Sequence, residues 1–145
     1  MAVVPTPFDA QVTGAAGSTL HYRAVAASDF TTITGPDATV SIVNEPPVVS
    51  VGPIDAVLRL GDLGPGRTLT LALDVDEPAT VTIQLLGKNH KVVREATVSQ
   101  ATAGAFAASL SLKHVHPGKF TLHIFATDAD GATSIPVDLP IRIRR

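Results

Sequence analysis

The sequence predicts an all-β protein: an antiparallel β-sandwich of about seven strands, preceded by a partial module of about three strands. Three observations carry this. From Arg67 onward, apolar residues recur at every second position, the period of a half-buried strand. The breaks between these runs hold Gly, Pro, Asp and Asn, in "GDLGPG", "DEPA", "GKNH", "HPG" and "DADG", and these residues favour turns. No stretch shows a useful length of helical period.

The elements follow in order. Before residue 45, "FDAQV", "STLHYRAVAA" and "TTITGPDATVSIV" read as about three strands. "NEPPVVSVGP" reads as a short linker stiffened by proline. The expected division is thus residues 1–44, a linker over 45–53, and a sandwich domain over 54–145. In "RTLTLALDV", Leu69, Leu71, Leu73 and Val75 share one face. In "ATVTIQLL", Val81, Ile83 and Leu85 do so. Phe106, Ala108, Leu110 and Leu112 form the next apolar face, and Phe120, Leu122, Ile124 and Ala126 another. "EATVSQATAGAFAASL" carries β-branched residues and Gly104 and reads as strand, loop, strand, with a helix as the weaker alternative. The last run points Ile135, Val137, Leu139, Ile141 and Ile143 one way and puts Pro136 and Pro140 on the other face. Proline cannot donate to a ladder, so this strand is expected at a sheet edge.

Composition narrows the function classes. The chain has 145 residues, 45% hydrophobic and 17% charged, enough for a packed core. Aromatics make up 4% and Trp is absent, which disfavours a stacking platform for bases or sugars. A net charge of -2 gives no electrostatic reason to expect nucleic acid. Without Cys there is no disulfide, thiolate metal site or catalytic thiol. "MAVVPTPFDA" lacks the basic start and long apolar run of a signal peptide. No stretch reaches the roughly 18 apolar residues of a membrane helix.

Two stretches resemble known modules. "GSTLHYRAVAASDFTTITGPDATVSI", Gly17 to Ile42, resembles the closing half of a fibronectin type III domain. Gly17, Tyr22, Arg23, Ala26, Gly35 and Pro36 fall where bacterial members have them, while Leu20 stands at the corner-tyrosine position. "DEPATVTIQLLGKNHKVVRE" and "HPGKFTLHIFATDADGATS" make the region from Val48 similar to bacterial Ig-like modules, with Phe120 in place of a tyrosine. The resemblance implies a sandwich architecture and an exported or cell-surface setting. It specifies function poorly.

The candidate chemistry is sparse. Asp128 and Asp130 precede Gly131. Two local ligands fall short of the six to eight oxygens calcium takes, and no late Glu follows. An Asp-Gly turn between strands is the simpler reading. In a seven-strand order Asp74, Asp76 and Glu77 join Asp128 and Asp130 at one pole, where five carboxylates would share a cation or stay solvated. The other pole gathers Lys88, His90, Lys91, Lys113, His114, His116 and Lys119. His90, His114 and His116 are the only candidate zinc ligands there. No Gly-x-Ser-x-Gly elbow or phosphate loop occurs. The expected site assignment is therefore no catalytic, cofactor or metal residue.

The expected function is a non-catalytic spacer, adhesion or assembly module of a larger exported or surface protein, with protein partners. Neither nucleic acid binding nor membrane insertion is expected. The alternatives are an accessory domain of a secreted hydrolase, which leaves carbohydrate open as a ligand, and a structural protein of a virion or filament. Opposite charge at the two poles would favour head-to-tail stacking of like modules.

Overall fold

A computed structural model describes residues 17–145, and the expected strand "FDAQV" lies outside them. The chain divides into two compact units, with the break between Asn44 and Glu45. Among the described residues there is no α-helix.

In the first unit the described residues form a β-ribbon. β1 (Thr19–Tyr22) pairs antiparallel with β4 (Ala38–Ser41), and β2 (Val25–Ala27) with β3 (Thr32–Thr34). Four short strands thus replace the two expected in this stretch, because the register slips by one residue midway. Leu20 faces Val40, but Ala26 faces Ile33. The additional residue falls at Gly35–Asp37, where Pro36 has no N–H to give a ladder. The Gly35 N–H reaches Ala24 O at 2.8 Å just before the slip. At the tip, Ser28 Oγ accepts from the N–H groups of Phe30 and Thr31 at 3.4 and 3.2 Å.

The second unit is a two-layer sandwich. β5 (Val49–Val51), β7 (Thr68–Val75) and β10 (Gly104–Ser111) form one sheet in the order β10-β7-β5. β6 (Val57–Arg59), β8 (Ala79–Leu86), β9 (Val92–Gln100), β11 (Gly118–Thr127) and β12 (Val137–Arg144) form the other in the order β6-β12-β11-β8-β9. All pairs are antiparallel except β6 with β12. This two-sheet order is that of an Ig-like sandwich.

The inward faces carry the expected apolar positions. Leu122, Ile124 and Ala126 stand in register with Leu85, Ile83 and Val81, and all six are fully buried. From the other sheet, Leu69 and Leu71 pair with Leu110 and Ala108. One cluster joins the two sheets.

Two expectations need correction. Val49–Val51 lies within the stretch read as a linker, yet it is strand β5, with Val49 buried and Pro47 buried beside it. Paired with Val75, Val49 adds its apolar side chain to the core. β5 and β6 join different sheets, which brings the unit to eight strands, close to the expected number. The last strand is not an edge throughout, since β6 pairs with Arg142–Arg144. The proline logic survives locally. Arg142 N–H donates to Ala56 O at 2.8 Å, and Pro140, two residues earlier, points its missing donor to the same side before β6 begins.

Candidate functional site

The outward face of the five-stranded sheet carries the polar side chains, and alternation places them in cross-strand rows. Nearest the β11–β12 turn, Thr133, Thr127, Thr80 and Ser99 align across the sheet. Thr127 and Thr133 hydroxyls lie 3.2 Å apart, and those of Thr80 and Ser99 3.4 Å. Farther along, Asp138, His123, Gln84 and Glu95 form one row over β12, β11, β8 and β9. His123 Nδ1 lies 2.6 Å from Asp138 Oδ1, and Gln84 Nε2 donates to Glu95 Oε2 at 2.7 Å. The Phe125 ring packs at a tilt, 5.5 Å from that of His123. The row pairs an imidazole with one carboxylate and a carboxamide with another. Its chemistry is hydrogen bonding to whatever lies on the sheet.

The acidic end is built by two turns. Asp128 shapes the β11–β12 turn: its N–H donates to Ala132 O at 3.0 Å, and its Oδ1 accepts the Ala132 N–H at 2.8 Å. Gly131 takes φ +91° there, a conformation that favours glycine. Asp76 Oδ1 accepts the Val48 N–H at 2.7 Å and so ties down the chain entering β5. Partial withdrawal of Glu77 from water, with the fields of Asp128, Asp76, Asp130 and Glu45, pushes its carboxyl above the ordinary range. Four of the five expected carboxylates therefore share one electrostatic neighbourhood, joined by Glu45. Asp74 stands apart in the row of Ser50 and Ala105 on the outer face of the smaller sheet. Among the described residues no group of three His, Asp or Glu is arranged to hold a metal ion. Asp76 and Asp128 each spend an oxygen on backbone N–H groups.

The other end is basic, but of its strongest feature only Lys119 is among the expected residues. His90, His114 and His116 do not gather into a metal-ligating group. His90 follows Asn89 in a tight turn over Lys88–His90, and both take positive φ, 58° and 56°. His114 is also left-handed at φ 63°. Arg94 donates to Lys113 O at 2.5 Å and so fastens β9 to the loop after β10. Sequence reading missed the arginines. Lys119 pairs in register with Arg142, and Arg59 with Arg144. All four are exposed. Alternation in "IRIRR" could have placed Arg142 and Arg144 on one face, but only the pairing with β6 brings Arg59 beside them.

No family model matches the chain, and a search of curated proteins finds no match. Solved structures similar to it include the fibronectin(III)-like modules of Clostridium thermocellum CbhA. That structure has a TM-score of 0.49 and 20% identity, over 92% of this chain and 66% of that one. An engineered protein matches with a TM-score of 0.46 and 20% identity, over 73% of this chain and 22% of that one. The chain thus spans just under two thirds of the first of these. Among the described residues no helix is long and apolar enough to cross a membrane.

Proposed function

We propose that the chain is a non-catalytic spacer module that carries load within a larger exported or surface protein. The supporting observation is geometric. Glu45 opens the second unit within the field of Glu77, at the acidic end. Arg145 closes it beside Lys119 and Arg142, at the other end. The ten residues of β11 run between these ends, about 30 Å at the usual rise per residue. A pull between Glu45 and Arg145 therefore acts along the strands. It loads the parallel rungs of β6 on β12 (Val57, Leu58 and Arg59 against Arg142, Ile143 and Arg144) lengthwise.

Single-molecule stretching between residues 45 and 145 tests this. The expected record is one cooperative rupture of the sandwich, because all rungs must shear together. Strands that peel one by one at low force would remove the spacer reading. Retention of the chain on an insoluble polysaccharide would replace it with a carbohydrate-binding accessory role.

A further inference from the structure

The outward face of β6, β12 and β11 ends in a cluster of cations that the fold leaves unbalanced. Lys119 sits directly across from Arg142, and Arg59 directly across from Arg144. Like charges in facing cross-strand positions are destabilising. Arg145 adjoins them, and a groove of about 340 Å³ runs between Pro117, Gly118, Lys119 and residues 142–145. These five account for five of the chain's eleven Lys and Arg residues. The ion pairs among the described residues are His21 with Asp37 and His123 with Asp138, so none engages the cluster. Asp138 lies on the same face but is held by His123.

The same unit carries the complementary surface. Glu45, Asp76, Glu77, Asp128 and Asp130 share the opposite end, close enough for four of them to act on Glu77. Each end concentrates charge of one sign, and a contact between the two ends brings opposite signs together. The two lie about 30 Å apart along β11, too far to meet within one unit. We propose that the Arg59–Lys119–Arg142–Arg144 cluster binds the acidic end of a second copy of this chain, head to tail. Such a contact is heterologous, so it repeats in rows instead of closing into a two-fold dimer. The pairs are exposed, so charge sets register and salt dependence more than affinity, and the contact is weak. The proposal is independent of the spacer reading.

Sedimentation of the full chain at rising concentration tests it, in about 20 mM and about 1 M salt, the latter bringing the Debye length to roughly 3 Å. Average mass should rise with concentration at low salt and return to the monomer value at high salt. Arg142→Gln with Arg144→Gln removes one surface, and Glu77→Gln with Asp130→Asn removes the other. Each double variant should weaken association about tenfold, the effect of two exposed pairs. An equimolar mixture should regain it but stop at dimers, because each variant keeps one working end. All four positions lie off the buried core, and an unchanged circular dichroism spectrum verifies folding. Association that persists at 1 M salt would overturn the proposal in favour of an apolar or strand-edge contact. A chain that stays monomeric throughout would overturn it too. So would a monomer whose cluster binds dextran sulfate and loses it with Arg142→Gln and Arg144→Gln, which would assign the cluster to a polyanionic polymer.

Discussion

The ribbon and the sandwich are built from the same kind of strand and end differently. In the ribbon, alternation puts Leu20, Tyr22, Ala26, Ile33, Ala38 and Val40 on one face. Yet Tyr22 is 54% exposed and Ile33 66%. In the sandwich, the same alternation leaves Ile83, Leu85, Leu122 and Ile124 fully buried. Among the described residues, the difference is the second layer. A sheet face contributes hydrophobic stabilisation only when another face removes it from water. Two strands alone are marginal in water. The ribbon has the alternation of a sandwich strand pair, with large apolar side chains left exposed on it.

The sharpest test of that contrast is a pair of truncations. Leu122→Ala should cost about 2–5 kcal/mol in urea unfolding, since it empties a fully buried site. Val40→Ala, in the ribbon, should cost under about 0.5 kcal/mol. A large cost at Val40 would mean that the ribbon face is packed, and the contrast would collapse. In the same spirit, a chain of residues 45–145 should keep a cooperative transition.

Asp76→Ala comes next. Its carboxylate holds the Val48 N–H at the mouth of the sandwich, and bonds to charged groups contribute about 1.5–3 kcal/mol. Exposure of the site reduces this, so the expected loss is about 1 kcal/mol in urea unfolding. The ribbon has an analogous bond in His21 with Asp37 at 2.8 Å. Asp37→Ala should leave the sandwich transition where it is.

His90→Gly should act in the opposite direction. A left-handed residue with a β-carbon costs roughly 1–2 kcal/mol, and Asn-Gly is the preferred pair for such a turn. Relief of His90, at φ 56°, should raise the sandwich's stability by about 1 kcal/mol, read as a higher urea midpoint. No gain would mean that the imidazole makes a compensating contact.

The smallest effect is in pH. Glu77 has a raised pKa in the folded chain, so between its ordinary value and the raised one the folded state binds more proton than the unfolded state. Stability then falls as pH rises through that window, and the group favours folding most below it. The difference in unfolding free energy between the chain and Glu77→Gln should follow this course, then level off at neutral pH. A difference of opposite slope would mean that cations, not Asp128 and Asp76, dominate its surroundings.

Period two made most of the fold legible. Turn residues bounded β7, β8, β10 and β11, and the inward positions of all four strands are those that alternation marks. The linker over 45–53 failed because "PPVVSV" is too short to show a period. Its prolines look like a spacer, while Pro47 and Val49 are in fact buried. The last strand was misplaced because a proline reports one missing donor, not the state of a whole edge. For the site, the acidic turns were legible through topology. The Asp138–His123–Gln84–Glu95 row was not, because it needs the register of three strand pairs at once.

The sequence by itself determined that this chain makes strands, where they turn, and which side of each faces inward. These are local properties, dictated by side-chain period and backbone preference over a few residues. Only the tertiary structure decided which strands are neighbours and in what register. That choice brought Arg59 from β6 beside Arg144, set Lys119 opposite Arg142, and separated Asp74 from the acidic turns. Neighbours distant in sequence are selected by the packing of two whole faces against each other. No single segment contains that information.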